Sequence, residues 1–317
     1  MAIGANIRKR RFELRMTQQE LADAMGYRTR STIAKIESEE NDVSQKKLQR
    51  FANILDTTVE ALITGELAAF APAISSALHK EGREKHIAVI LAGGKSGNNR
   101  QNIPSQYINV HGKPIIVYSM EAYQEHPAID AIYVVCAKNW ESIIRAYAQQ
   151  YGITKLVGLI HAGTTGILSL KNAMKQISPI CTDEDLILIQ EATRPMVSAE
   201  TISKLLQTCI SRESATICHS MQEYVQFDVS HGSTKYLDRN TIIALQSPEA
   251  HRVSLLNELF EKAEYLHHPL TETNCTMLLY NLGYAINFIE GDVNNIKISR
   301  EEDIAAFRAA ISSNALY

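Results

Sequence analysis

The sequence predicts a multidomain chain: an all-α head over residues 1–66, a helical joint over 67–86, and an α/β domain with a mostly parallel sheet over 87–317. Three observations carry this. Two Thr-x-x-Glu patterns mark helix starts in the first 65 residues, where apolar residues recur at helical spacing. From Ile87 onward, consecutive apolar runs alternate with helical patterns, as strands joined by crossover helices do. The first of those runs, Ile87-Ala88-Val89-Ile90-Leu91, breaks at once into a glycine-rich loop.

A length of 317 residues suits two domains. With 45% hydrophobic residues, 21% charged and a net charge of -3, the composition is that of a soluble globular protein, and no global excess of charge points to nucleic acid. Charge therefore has to be read by region. Cys136, Cys181, Cys209, Cys218 and Cys275 form no C-x-x-C pair, and neither they nor His267-His268 have metal-ligand spacing. They read as buried thiols in a reducing compartment, with no metal site expected. No apolar run approaches a membrane span and no signal-peptide core precedes the head, so a cytoplasmic location is expected.

In the head, Ile3, Ile7, Phe12 and Leu14 stand among Arg8, Lys9, Arg10, Arg11 and Arg15. Thr17 and Glu20 form a capping box for a helix through Leu21, Ala22 and Met25, which stops at Gly26. Another helix runs from Ser31 to Glu37, with Ile33 and Ile36 facing inward. Two more follow from Ser44 and from Thr57, the latter with a second box to Glu60. Two short helices around a Gly-containing turn, then supporting helices, make a helix-turn-helix layout. Through Ile36 there are eight Lys or Arg against Glu13, Glu20 and Asp23, a net of +5. Glu37, Glu39, Glu40 and Asp42 then fall on the side expected to face away from DNA.

The segments TQQELADAMG, STIAKIE and KLQRFANILDTTVEALITG resemble the Cro/CI-type phage repressors (the XRE family) across the first 65 residues. The resemblance implies a recognition helix over 29–37, with Gln18 meeting a phosphate and Arg28, Arg30, Ser31, Thr32 and Lys35 facing the major groove or its rims. It implies double-stranded DNA, a palindromic operator, as partner. A solvated protein-interaction module is the alternative reading of the same helices.

The joint combines Leu67, Phe70, Ile74 and Leu78 at helical spacing with the charged run 80–85, and reads as a short amphipathic helix and a solvated linker. Beyond it the expected order is strand 87–91, helix 114–125, strand 131–137, helix 141–151, strand 155–160, helix 169–176, strand 185–190, helix 198–211 and strand 215–219. Polar alternation over 224–244 suits an antiparallel excursion. Strand 284–290 and a last helix capped by Ser299 with Glu302 close the chain. In such a sheet ligands sit at the carboxyl ends of the strands. The glycines of the first loop suit an anionic phosphate and equally a tight corner.

The loop and the segment beyond it, Ala92-Gly93-Gly94, Pro104-Ser105-Gln106-Tyr107 and Gly112-Lys113-Pro114-Ile115, resemble the opening of the 2-C-methyl-D-erythritol 4-phosphate and ribitol-5-phosphate cytidylyltransferases. That resemblance implies a Rossmann-like nucleotidyltransferase fold, a homodimer joined by the 224–244 arm, CTP with Mg²⁺, and a sugar or alditol phosphate as the second ligand. The reaction is in-line attack on the α-phosphate, in which protein supplies positioning and positive charge.

The implied nucleotide-binding residues are Gly93, Gly94, Lys95, Ser96, Gly97, Arg100 and Ser169; the implied catalytic and substrate residues are Glu191, Arg194, Lys297 and Arg252, the last standing where the family often has a substrate-phosphate arginine that reaches across the dimer. Several positions depart from the motif. Asn98 or a neighbour stands for the loop arginine, Ser105 for the lysine of P-K-Q, and Gly166 for the base-loop arginine. Glu191 replaces an aspartate, one methylene longer, while Asn295-Ile296-Lys297 is intact and Ser247-Pro248-Glu249 stands for T/S-P-Q. Losing one preorganised charge stabiliser costs about 3–4 kcal/mol in such reactions. The expectation is a DNA-binding regulator with a weakly active or inactive sensor and dimerisation domain. The alternative is an active cytidylyltransferase with an autoregulatory head, Lys95 and Arg100 substituting for the missing cations. Glu191 and Arg194 also suit a plain structural ion pair.

Overall fold

The computed structural model describes residues 3–14, 16–27, 29–38, 43, 45–55, 57, 59, 62, 83–94, 103–220, 226–228 and 235–312. The chain divides into two compact units, Met1–Ala73 and Ile74–Tyr317.

Among its described residues the first unit is all-α. Helices α1 (Ile3–Glu13), α2 (Gln18–Ala24), α3 (Arg30–Glu37) and α4 (Gln45–Ile54) bury Ile7, Leu21, Ile33, Ile36, Leu48 and Phe51 in one core. The expected box at α2 is present: Thr17 Oγ1 accepts from the Glu20 amide at 3.2 Å, and Glu20 accepts from the Thr17 amide at 2.7 Å. Gly26, at φ +71°, takes the left-handed turn that ends α2, a conformation costly for side chains with a Cβ. The second expected box falls on Glu60, outside the described residues, and so does the joint up to residue 82.

Glu37, the first acid of the run 37–42, is 7% exposed and pairs bidentately with Arg11, at 2.6 Å and 2.9 Å. Arg11 also donates to the Met16 carbonyl at 2.7 Å. A carboxylate and a guanidinium both cut off from water hold α1, the turn before α2 and the end of α3 in register.

The second unit is a seven-stranded sheet in the order β11-β7-β10-β6-β1-β4-β5. Its strands are β1 (His86–Ala92), β4 (Ala131–Cys136), β5 (Leu156–His161), β6 (Leu186–Glu191), β7 (Ser214–Ser220), β10 (Ile243–Arg252) and β11 (Phe288–Glu290). All neighbours are parallel except β10, which runs antiparallel to both β6 and β7. Two small ladders, β2 (Asn109–Val110) with β3 (Lys113–Pro114) and β8 (Gln226–Asp228) with β9 (Lys235–Leu237), are antiparallel. The second lies in the expected 224–244 excursion.

Helices α5 (Ile115–Glu125), α6 (Glu141–Gln150) and α8 (Ala199–Arg212) cover one face of the sheet, packing on Ala88, Ile90 and Leu188. Helices α7 (Gly166–Ile177), α9 (Val253–Tyr265) and α10 (Cys275–Asn281) cover the other, over Ile87, Val89 and Ile189. Residues of β1 thus alternate between two buried layers, which is why its sequence is apolar at every position from Ile87 to Ala92. Helix α11 (Glu301–Ser312) packs Phe307 beside Val110, Tyr118 and Ile298.

Strand β10 and helices α9 and α10 are additions to the expected elements; the other differences are local. Helix α7 starts at Gly166 rather than 169 because Thr165 caps it, accepting from the Leu168 amide at 3.1 Å. The last helix is organised by Asp303, not by Ser299 with Glu302: its Oδ2 accepts the Ser299 and Arg300 amides, each at 2.8 Å. Among the described residues no helix is long and apolar enough to cross a membrane.

Candidate functional site

Chain order places β4 and β5 on one side of β1 and β6 on the other, so the ends of β1 and β6 form a topological switch point. A cleft of about 150 Å³ opens there. Its charged lining residues are Glu191, Arg194, Glu249 and Lys297, with Thr216, Gln246, Ser247, Asn274 and Thr276 supplying hydroxyls and amides.

Each charged group is positioned by a different element. Glu191 ends β6, and its amide donates to Ser247 Oγ at 3.0 Å, tying it to the irregular stretch of β10 where register shifts between Leu245 and Glu249. Arg194 lies one turn on, its Nε 2.9 Å from Glu191 Oε2 and its Nη1 donating to the Asn295 carbonyl at 2.8 Å. The turn between them is braced by buried Gln190, which donates to the Arg194 carbonyl and accepts from Tyr123 Oη. Lys297 arrives from the far end of the chain and pairs with Glu191 Oε1. Asn295, 1% exposed, donates to the Ser247 carbonyl at 2.8 Å and so fixes the segment that carries Lys297.

Glu249 sits deeper, 4% exposed, accepting from the Cys275 and Thr276 amides at 2.9 Å each and from the Thr276 hydroxyl. Burial alone would raise its carboxyl; His251 beside it, Thr276 and the Cys275 amide outweigh that and hold it below the ordinary 4.5. His251 Nε2 stands 3.6 Å away, beyond hydrogen-bond range, so its part is electrostatic. A lowered folded-state value means stability present at neutral pH and lost as pH falls through that value. Glu249→Gln keeps one acceptor oxygen where two are used. It should cost about 1.5–3 kcal/mol and flatten the acid limb of a stability–pH curve, measured by urea unfolding between pH 3 and 7.

At the glycine loop, Gln106 Nε2 donates to the Ala92 and Gly94 carbonyls at 2.8 and 3.0 Å, pinning the point where the chain leaves β1. Tyr107 next to it stacks on Trp140 with centroids 3.7 Å apart. Gly93 and Gly94 come directly after β1; Lys95, Ser96, Gly97 and Arg100 lie outside the described residues. Ser169 is buried, its hydroxyl donating to the Thr165 carbonyl and accepting from the Gly163 amide. It shapes the loop before α7. Ser105, where the lysine was expected to be missing, is 3% exposed.

Gly166 is the more telling position. A Cβ there would lie 2.0 Å from the Thr273 carbonyl oxygen. That close approach is fixed by neighbours, since Thr165 Oγ1 donates to the Leu270 carbonyl at 3.0 Å. The place of the base-loop arginine is filled by backbone.

Arg252 does not line this cleft. Because β10 is antiparallel to β6, its last residue pairs with Leu186, the first of β6, some five residues or about 17 Å from Glu191. Its guanidinium is held there by Glu184 and by the Ile210 carbonyl at 2.8 Å. Sequence reasoning also passed over Thr216, Gln246, Asn274 and Thr276, polar residues that only the packing of β7, β10 and α10 brings to one cleft. Nothing in their local sequence marks them.

In the head, Arg30, Ser31 and Lys35 are exposed along α3 and Thr32 is half-buried, while Ile33 and Ile36 face inward. Arg28 lies outside the described residues. Gln18 Nε2 donates to Glu37 Oε2 at 2.9 Å, completing the Arg11–Glu37 cluster, and its second N–H remains for the expected phosphate.

Residues 86–313 match the family model described as 2-C-methyl-D-erythritol 4-phosphate cytidylyltransferase, and residues 7–62 match a helix-turn-helix model. The chain is 29% identical to a ribitol-5-phosphate cytidylyltransferase of Lacticaseibacillus paracasei, over 72% of this chain and 99% of the relative. It is 26% identical to a 2-C-methyl-D-erythritol 4-phosphate cytidylyltransferase of Lachnoclostridium phytofermentans, over 70% of this chain and 94% of the relative. A solved 4-diphosphocytidyl-2C-methyl-D-erythritol synthase from Anaerococcus prevotii shares the fold, with a TM-score of 0.61 at 21% identity over 72% of this chain and 96% of that one. With more than half its length covered by that model, the chain belongs to the 2-C-methyl-D-erythritol 4-phosphate cytidylyltransferase family, with an XRE-type helix-turn-helix segment ahead of the family domain.

Proposed function

We propose that this chain is a DNA-binding transcriptional regulator whose cytidylyltransferase-family domain serves as a ligand sensor and dimeriser with little or no turnover. The observation that carries this is Gly166: the base-loop cation is absent, and the Thr273 carbonyl, 2.0 Å from any added Cβ, leaves no room for one. With Ser105 buried where a lysine would meet the triphosphate, two of the charges that steady phosphoryl transfer are gone, at about 3–4 kcal/mol each. Arg194 and Lys297 remain, a pair suited to one phosphate group of a sugar or alditol phosphate or of a nucleotide.

A second reading, an active CTP-dependent cytidylyltransferase with an autoregulatory head, is favoured by the relatives' names and by the meeting of Glu191, Arg194 and Lys297. Mg²⁺ in that reading would travel on the nucleotide. Glu191 and Glu249 already spend their oxygens on Arg194, Lys297 and the start of α10. Pyrophosphate release from CTP and Mg²⁺ with ribitol 5-phosphate or 2-C-methyl-D-erythritol 4-phosphate separates the two. Turnover within a hundredfold of an ordinary enzyme's ~10 s⁻¹ would sink the sensor reading.

The proposed partners are a palindromic operator in double-stranded DNA and a second copy of the chain, in the cytoplasm. Two-fold symmetry would set two recognition helices about one helical turn apart. Arg30→Ala should weaken binding to an operator selected from random duplexes by about 1–3 kcal/mol if the residue reads a base. Fluorescence anisotropy across a salt series reads this out; an unchanged affinity and an unchanged salt slope would remove Arg30 from the interface.

A further inference from the structure

Both oxygens of the Glu191 carboxylate are held by the two cations of the cleft. Oε1 is taken by Lys297 Nζ and Oε2 by Arg194 Nε at 2.9 Å. Among the described lining residues Lys297 and Arg194 are the positive charges, opposed by Glu191 and Glu249, so the cleft is formally neutral. Glu249 has separate donors on α10. Among the described residues Glu191 has none besides this pair.

We propose that Glu191 is a tethered anion that sits in the seat of the ligand's phosphate, so that a phosphorylated ligand binds by displacing it. This rests on the reading that such a ligand enters this cleft. The spacing supports it. A phosphate needs donors on two of its oxygens, and Lys297 and Arg194 already present that geometry to a carboxylate. Reach matters too: an aspartate at 191 would stop about 1.5 Å short, one C–C bond, and could not bridge both cations without backbone movement.

The strength is also right for a displaceable group. The side chains of Glu191 and Lys297 are 34% and 47% exposed, and ion pairs this open to water are weak. A phosphate dianion carries twice the charge of the carboxylate and more acceptor oxygens, so it wins the cations while the carboxylate turns out to solvent. The glutamate therefore sets a threshold, lowering affinity for every anion and most of all for singly charged ones.

Calorimetry of the full chain with ribitol 5-phosphate, and separately with inorganic phosphate, tests this in the parent, E191Q, E191D and K297A, each checked for an intact melting transition. Displacement predicts about fivefold tighter binding in E191Q, a smaller gain in E191D, whose carboxylate keeps Arg194 but releases Lys297, and loss of binding in K297A. A residue that merely orients Lys297 and Arg194, or that contacts the ligand itself, gives the opposite sign. Unchanged or weaker binding in both Glu191 variants, with K297A still defective, would overturn the displacement and leave the phosphate site standing. Should E191Q unfold, E191D decides alone, since it keeps the charge and can still reach Arg194. No binding of either probe to any variant at millimolar concentration overturns both the displacement and the phosphate site, because removal of the tethered anion ought to open it.

Discussion

Arg11→Ala should unfold the DNA-binding head. The Arg11 and Glu37 side chains are 5% and 3% exposed, and the guanidinium makes two bonds to Glu37 and one to the Met16 carbonyl. Removal strands a buried carboxylate with only Gln18 as a donor, a change that costs about 3–5 kcal/mol. Domains of this size have about 5 kcal/mol in hand, so the loss consumes most of it. Hydrogen exchange in peptides spanning α1 to α3 should rise towards the unprotected rate, and operator binding should vanish, while the α/β unit stays protected. Retained protection in the head would mean that water or a shifted lysine satisfies Glu37. Arg11→Met with Glu37→Leu, which removes both charges, should restore much of the stability.

Gly166→Arg should fail to restore a nucleotidyltransferase and should destabilise the second unit instead. The Cβ alone meets the Thr273 carbonyl oxygen at 2.0 Å, and that oxygen is backbone, held in a segment that also receives the Thr165 hydroxyl through Leu270. Overpacking of this kind costs about 1–3 kcal/mol, or several degrees in melting temperature for a domain of this length. Gly166→Ala should show the same loss in smaller measure, since the clash begins at the first carbon. Differential scanning calorimetry and CTP turnover read the two halves of the expectation. A Gly166→Arg chain that melts as the parent does and gains turnover would show that residues 270–274 can swing away, and would favour the enzyme reading.

Local signals made much of this fold legible. The Thr17–Glu20 box predicted the start of α2 because both partners lie within one turn, and a cap needs nothing from elsewhere. The unbroken apolar run of β1 predicted a strand covered on both faces, and the two cores that share its alternate residues are the reason. Glu191, Arg194 and Lys297 are candidates on the family motifs alone, and they meet although 106 positions separate the first from the last.

Other features depended on distance in sequence. Arg252 lies close to a motif residue in sequence, yet strand direction carries it to the far end of the sheet, because β10 runs against its neighbours. Glu37 reads as one acid in an acidic run; only the docking of α1 on α3 reveals that Arg11 is waiting for it. Gly166 reads as a missing arginine, and only the approach of Thr273 explains why no side chain stands there.

Chemical identity along the chain was enough to name the two families, much of the order of helices and strands, and which motif charges this chain has kept or lost. Tertiary structure decided what those charges do. Whether a carboxylate repels, caps or neutralises depends on which donor reaches it across the fold, and that is fixed by strand direction and packing rather than by spacing in the sequence.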